Sequence, residues 1–532
     1  MGKRIVSFFI VESIILTALY LRVWNIMGED GLIGAGEEQN TYTLSAYSMR
    51  ANIYDRNFEK LVNEEEAFAS AILPSQTDER FFEYFPKEKA RELSALIAEG
   101  KPFLYTTDTN PTGAAGVEVF KYYKRYSENQ LASNIIGYTD STFKGMSGLE
   151  KCFDNYFIEN GGGLKISYSV NAMGSFLEGT ASEIYTSGSV GAGLVLTIDK
   201  EIQRIVEKEG EKIKKGAVVV MEPYSGEILA AASFPKLDIN NLSAALEDPN
   251  SPFINRAFSA YSIGSTFKIA MCAAALENGI SAEESFLCEG EKELSGTVFR
   301  CHKSEGHGLL CMKEAIEQSC NPYFIELGQR LGFLKIVTMA EKLGFGEATD
   351  FGEGFTTSAG TLPTEADIKT VGDLANLSFG QGSLLATPVQ LAAAVSAVVN
   401  SGRRPTPQLI KGYTGDDGTQ LLNATEGGSY TTAFSAETAA KIKGFMISAV
   451  ENGTGSPALP EKGSAGGKTG SAETGQFDKW GNQILNALFC GFYPAASPKY
   501  SIVVLCEDGV SGSTTCGPIF RNICNELANM ES

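Results

Sequence analysis

From Ile5 to Leu21 the chain is apolar for 17 residues, broken only by Glu12 and small polar side chains, and Lys3 and Arg4 stand in front of it. At 1.5 Å per residue the run covers roughly 26 Å, and Val23, Trp24 and Ile26 extend it to bilayer thickness. The pattern predicts one membrane-spanning helix within a segment 1–26. Basic residues before it, with Glu29 and Asp30 after it, place the N-terminus in the cytoplasm and the bulk of the chain outside. A cleaved signal peptide is the rival reading. The run exceeds a usual h-region and no clear A-x-A follows, which favours the anchor. Glu12 is either a carboxyl that protonates or snorkels, or a polar contact to another membrane protein.

Beyond the anchor the texture is mixed as far as Ser187 to Gly193, a stretch rich in glycine and serine, with Gly161-Gly162-Gly163 on the way. This predicts a pedestal domain of strands and short helices with its linker, 27–193. From Leu194 the periodicity sharpens. A helical pattern follows Glu201. Ala217 to Met221 and Ile228 to Ala232 are apolar runs joined by Pro223-Tyr224-Ser225-Gly226, which reads as a β-hairpin. A long helical middle section precedes apolar strands at Leu488 to Tyr493 and Ser501 to Leu505 and a last helix near Pro518 to Ala528. Strands from both ends with helices between them predict one sheet covered by the middle of a domain 194–532.

The chain has 532 residues, 43% of them hydrophobic, and a formal charge of −20. The length calls for at least two domains, and the acidic balance without a basic stripe excludes nucleic acid as a partner. Cys272, Cys490 and Cys506 sit in apolar runs and read as small buried hydrophobes. Cys288, Cys301, Cys311 and Cys320 instead cluster with His302 and His307, the only histidines.

Gly264-Ser265-Thr266-Phe267-Lys268 opens an apolar helix ending at Asn278-Gly279. Positions i and i+3 share a helix face, so Lys268 is within reach of the Ser265 hydroxyl. The positive end of the helix favours an alkoxide there, which makes Ser265 a candidate nucleophile with Lys268 as its base. The tetrapeptide alone is weak evidence, because Ser141-Thr142-Phe143-Lys144 repeats it without an apolar helix behind. Ser319-Cys320-Asn321 is likewise one Ser-x-Asn triplet among several, Ser127-Glu128-Asn129 and Ser169-Val170-Asn171 included, but it sits between a helical run and Pro322. Lys468-Thr469-Gly470-Ser471 leads into the C-terminal strands, where an extended peptide can add by strand pairing.

Taken in order, Ser-x-x-Lys, Ser-x-Asn and Lys-Thr-Gly resemble the signature of penicillin-binding proteins and serine β-lactamases. Gly216 to Glu227, Asn255-Arg256-Ala257, Ser378 to Gly382, Thr387-Pro388 with Gln390, Arg50, Asp55-Arg56 and Gly148-Leu149-Glu150 are similar to the family as well. Ala51 departs from it, standing where glycine is usual. The whole chain resembles a class B penicillin-binding protein. That resemblance implies an α+β fold: a transpeptidase domain with a five-stranded antiparallel sheet flanked by helices, an elongated pedestal and one transmembrane helix. It implies a peptidoglycan D,D-transpeptidase that acts on stem peptides and is acylated by β-lactams, with a membrane-embedded glycan polymerase as partner. Catalysis falls to Ser265, Lys268, Ser319, Asn321 and Lys468, and substrate binding to Thr469, Gly470 and Ser471. No cofactor is required for that chemistry.

By position, Cys288, Cys301, His307 and Cys320 resemble a structural zinc site of some elongation-type relatives, and three thiolates with an imidazole are ordinary zinc ligands. Cys311 and His302 compete as ligands, and a Cys288 to Cys301 disulfide or free thiols are the other readings. No space exists between anchor and pedestal for the glycosyltransferase domain of about 200 residues that a bifunctional class A enzyme carries, and a secreted β-lactamase lacks anchor and pedestal. A D,D-carboxypeptidase and a non-catalytic scaffold or β-lactam sensor remain as alternatives. Elongation, septation and sporulation are not told apart, and neither is lysine from diaminopimelate as acceptor.

Overall fold

A computed structural model describes residues 2–27, 41–107, 110–169, 183–187, 191–424, 428–477, 479–481 and 483–530. The apolar N-terminal run is a single helix, α1 (Gly2–Met27), long and apolar enough to cross a membrane. The described residues pack as two units: 1–50, 64–125 and 160–189 in one, and 51–63, 126–159 and 190–532 in the other.

The first unit contains two small sheets. Glu66–Ile72 lies between Phe103–Thr107 and Val117–Tyr123, and Gly162–Ser169 lies between Thr41–Met49 and Glu183–Ser187, all antiparallel. Ile72, Phe81, Phe85, Leu93 and Tyr105 form its largest apolar cluster.

The second unit is built on five antiparallel strands: β1 (Gly216–Met221), β2 (Ile228–Phe234), β3 (Gly466–Phe477), β4 (Gln483–Tyr493) and β5 (Tyr500–Cys506), in the order β2-β1-β5-β4-β3. The expected hairpin is β1–β2, with Val219 opposite Ala231, and the two sequence ends meet where β5 pairs with β1. β1, β2, β4 and β5 are apolar at most positions because both faces are covered there, whereas the edge strand β3 is polar and half exposed. Val219, Met221, Cys490 and Val503 enter one core, and Val218, Val220, Phe489 and Ile502 enter the other, as the two-residue period requires. The second core is closed by α2 (Lys200–Gly210), capped by the Asp199 carboxylate, and by the C-terminal helix Gly517–Met530. The first core is filled by α3 (Lys268–Glu277) and α4 (Pro388–Val399), whose side chains are almost all buried.

Residues 51–63 and 126–159, which fall in the expected 27–193 pedestal, fold with this second unit. Asn52–Tyr54 pairs in parallel with Gly193–Leu196. The Asp55 carboxylate accepts backbone N–H groups of Asn57, Glu59 and Lys200. Ala51 is buried, donates its N–H to Phe157 O, and does not have the positive φ that would call for glycine.

Candidate active site

The sequence Gly264 to Lys268 forms one 3₁₀ turn, Gly264–Phe267, that runs into α3. Gly264 holds φ +52, and a Cβ there would lie 2.9 Å from Ser471 O, so only glycine brings this turn against the edge strand β3. Phe267 and Lys268 point into the protein and Ser265 is half-buried at the mouth. Ser265 lines a cleft of about 770 Å³, walled on one side by Ser471, Glu473 and Thr474 of β3 and on the other by Arg300 and Asn321.

Lys268 is fully buried, and its hydrogen bonds go to the Ser319–Asn321 segment. Its Nζ donates to Asn321 Oδ1 at 2.7 Å, to the Ser319 carbonyl at 2.7 Å and to Ser319 Oγ at 3.3 Å. Ser319 sits in the turn between the helices Met312–Glu317 and Asn321–Leu331, at φ +50, an uncommon conformation for a residue with a side chain. Pro322 is in the first turn of the second helix, where its missing N–H costs nothing. Lys468 reaches the same hydroxyl from β3: its Nζ donates to Ser319 Oγ at 2.8 Å and to Thr469 O at 3.0 Å.

Burial removes water from both ammonium groups and disfavours their charged forms. Lys268 is held well below the usual lysine range by burial and then by the charge of Lys468, and Lys468 is lowered by burial to about 7. A hydroxyl bridging two amines can accept from the charged one and donate to the neutral one, so Lys268, Ser319 and Lys468 form a chain able to pass a proton.

The Lys-Thr-Gly segment explains its own composition. Lys468 and Thr469 are buried, and Thr469 Oγ1 is 3.1 Å from Thr454 Oγ1. A Cβ on Gly470 would stand 2.9 Å from Ile263 O and 2.9 Å from Thr266 Cγ2, so the strand can touch the Ser265 turn only without a side chain. Ser471 is exposed to the cleft, and its hydroxyl accepts the Gly512 N–H at 3.3 Å.

The competing motif copies do not assemble. Ser141 to Lys144 is a turn wrapped around the Asp140 carboxylate, which accepts from Thr142 N, Thr142 Oγ1 and Lys144 N. Ser127-Glu128-Asn129 is outside any helix or strand, and the triplet at Ser169 extends beyond the described residues. Arg300 and Glu473 belong to no motif. The only sequence signal for Glu473 is its position two residues beyond Ser471, and Arg300 is marked only by preceding Cys301.

Behind Ser319 and Asn321, the ligand atoms of Cys288, Cys301, His307 and Cys320 lie within 4.8 Å of one another. His307 Nδ1 is 3.5 Å from both Cys288 Sγ and Cys301 Sγ. Ligands about 2.0–2.3 Å from a common tetrahedral centre stand roughly 3.3–3.8 Å apart, so this donor set fits zinc after a small contraction. A hydrogen bond from the Cys320 thiol holds Cys301 well below the ordinary thiol range, which favours a ligating thiolate. Cys311 lies outside this group, as does His302, with Nδ1 3.9 Å from Cys301 Sγ.

Comparison with known proteins agrees with this geometry. Residues 216–525 match the model of the penicillin binding protein transpeptidase domain. The stage V sporulation protein D of Bacillus subtilis is 29% identical over 568 residues, covering 98% of this chain and 84% of that protein. The peptidoglycan D,D-transpeptidase MrdA of Acinetobacter baumannii is 28% identical over 434 residues, 76% of this chain and 63% of the relative. A chain from a structure on the structural coordination of polymerization and crosslinking by a peptidoglycan synthase complex superposes with a TM-score of 0.69 at 24% identity. It covers 98% of this chain and 97% of that one, which shows a shared fold.

Proposed function

Since the chain belongs to the class B penicillin-binding proteins, it is a serine-type peptidoglycan D,D-transpeptidase, and we propose how its residues divide the work. Ser265 Oγ attacks the carbonyl of the penultimate D-alanine of a stem peptide while Lys268, buried and favouring its neutral form, takes the hydroxyl proton. The backbone N–H groups of Ser265 and Ser471 receive the oxyanion. The proton returns through Ser319 and the two lysines to the nitrogen of the terminal D-alanine, which leaves with its C–N bond broken. Asn321 holds a substrate amide, and Lys468 with Thr469 binds the terminal carboxylate. The amine of a second stem then attacks the ester, forming the cross-link and restoring Ser265. β-Lactams acylate the same serine.

The observation that carries this assignment is the Lys268–Ser319–Lys468 hydrogen-bond chain beside Ser265, where α3 meets the edge strand. Fluorescent penicillin labelling with peptide mapping tests it. Label is expected on Ser265 and is expected to vanish in Ser265→Ala but not in Ser141→Ala. Absence of label in the wild type would favour the scaffold or sensor reading. Release of D-alanine without cross-linking, when a competent acceptor is supplied, would favour a carboxypeptidase.

α1 serves as a single-pass membrane anchor, with the rest of the chain extracytoplasmic. Its partner is a membrane-embedded glycan polymerase, a reading supported by the peptidoglycan synthase complex to which one structural relative belongs. Cys288, Cys301, His307 and Cys320 hold a structural zinc. Bound there, the ion would fix the Cys320 end of the turn that carries Ser319 and Asn321, and the acyl transfer takes no step through it.

A further inference from the structure

Among the described residues, two charged side chains line the Ser265 cleft, Arg300 on one wall and Glu473 on the other, and neither has a protein hydrogen-bond or ion-pair partner. Of the other charges near the cleft, Lys268 and Lys468 are buried in the Ser319 chain, Lys292 and Arg330 are tied to Glu326, and Glu291 lies opposite Arg300 on the neighbouring strand without bonding it. A cation and an anion left unpaired on facing walls of a polar cleft are complementary to a ligand group that carries both signs.

The strand direction says which part of the substrate that is. β3 is the sheet edge, and a stem peptide added antiparallel to it lays its terminal carboxylate at Lys468 and Thr469 and its penultimate carbonyl at Ser471. The residue before the penultimate D-alanine, the third of the stem, then falls beside Glu473. Glu473 lies two residues from Ser471 and shares its exposed face, while Ala472 between them is buried. Arg300 ends the strand Thr297–Arg300, immediately before Cys301, and Asn321 Nδ2 lies 3.5 Å from its carbonyl.

We propose that Arg300 and Glu473 form a subsite for the zwitterionic end of the third stem residue, so that the substrate is a stem carrying a diamino-dicarboxylic acid of the diaminopimelate type, not lysine. Arg300 takes the side-chain carboxylate and Glu473 the ammonium group on the same carbon. This rests on the transpeptidase reading of the cleft. The same chemistry reaches the cleft on a donor or on an acceptor stem.

The test is a ligand-observed NMR titration of the full-length Ser265→Ala protein in detergent, which reports binding without turnover. Donor pentapeptides ending in D-Ala-D-Ala and acceptor tripeptides ending at the third residue are each made with diaminopimelate, lysine or Nε-acetyl-lysine at that position. Diaminopimelate is expected to bind roughly tenfold more tightly than lysine, and lysine several-fold more tightly than its acetylated form. Adding Arg300→Gln should collapse the first ratio and leave the second. Adding Glu473→Gln should collapse the second. The peptide series that shows the effect, pentapeptide or tripeptide, identifies the stem that is read. Equal binding of diaminopimelate and lysine stems, or a preference that survives Arg300→Gln, would overturn the proposal. Failure of penicillin to label Ser265 in the wild type would instead overturn the reading beneath it.

Discussion

Lys468 Nζ, on the edge strand, donates to the hydroxyl of Ser319 at 2.8 Å, although the two residues lie 149 positions apart. Lys268 approaches the same oxygen at 3.3 Å from the other side. With Ser319→Ala the two amines lose the hydroxyl that joins them, so the proton of Ser265 has no route to the leaving group. Acylation by a fluorescent penicillin should slow by about 10²–10⁴-fold, the usual span for a lost acid–base group, with the melting temperature little changed. Acylation at the wild-type rate would remove Ser319 from the proton path.

The buried Lys468 makes stability depend on pH. Its folded pKa is about 7, and an unfolded lysine titrates near about 10.4. Below about pH 7 the group is charged in both states, and the folded chain carries the whole cost of burying the charge. Between about 7 and about 10.4 the unfolded chain binds the proton that the folded chain has lost, so stability rises with pH across that window. Lys268 is shifted in the same direction. Melting curves from about pH 6 to about pH 9 should show the wild type gaining on Lys468→Met as the pH rises. A difference that stays flat would mean that Lys468 is not buried as a titrating group.

What the sequence made legible was what depends on local pattern. Apolar runs such as Ala217 to Met221 are strands because both faces of this sheet are covered, and the hairpin turn at Pro223 to Gly226 follows from its residues. The Ser-x-x-Lys at Ser265 could be separated from the copy at Ser141 by the apolar helix behind it, and the fold brings the first, not the second, to Ser319 and Lys468. Pairing over distance was not legible. Asn52–Tyr54 is too short for periodicity to reveal, yet its parallel pairing with Gly193–Leu196 ties residues 51–63 to the C-terminal unit. Helical spacing put Lys268 near Ser265, but a face says nothing about competing acceptors, and Asn321 and Ser319 supply better ones. Arg300 and Glu473 meet in one cleft only through the tertiary fold.

Gly470 sets the distance between the edge strand and the Ser265 turn. In Gly470→Ala the new methyl meets Ile263 O and Thr266 Cγ2, each at 2.9 Å, and one of these is backbone that cannot rotate away. The strand must shift outward by a few tenths of an ångström, carrying Ser471 N–H away from the oxyanion position. Overpacking of this kind costs about 1–3 kcal/mol, and a displaced oxyanion donor costs roughly 10²-fold or more in rate. Penicillin acylation should therefore fall further than the melting temperature suggests. Full activity in Gly470→Ala would show that the strand and turn are not held at that spacing.

The Cys288, Cys301, His307 and Cys320 cluster lies directly behind the reacting groups, since Cys320 stands between Ser319 and Asn321 in the chain and is fully buried. Protein purified without chelator should contain roughly one zinc per chain, and Cys301→Ser or His307→Ala should lose it. Removing the metal leaves buried thiols with the repulsion of any that ionise, so the melting temperature should drop and acylation should slow with it. The coupling has a direction. If the cluster braces the Ser319 turn without touching the penicillin, its loss should lower the acylation rate for all penicillins alike, and because Arg300 is bonded directly to Cys301 in the chain the diaminopimelate preference should weaken with it. A metal-free chain with a Cys288 to Cys301 linkage in non-reducing peptide maps would replace the zinc by a disulfide with the same bracing role. A metal-free, fully reduced and fully active chain would show that the turn needs no brace at all.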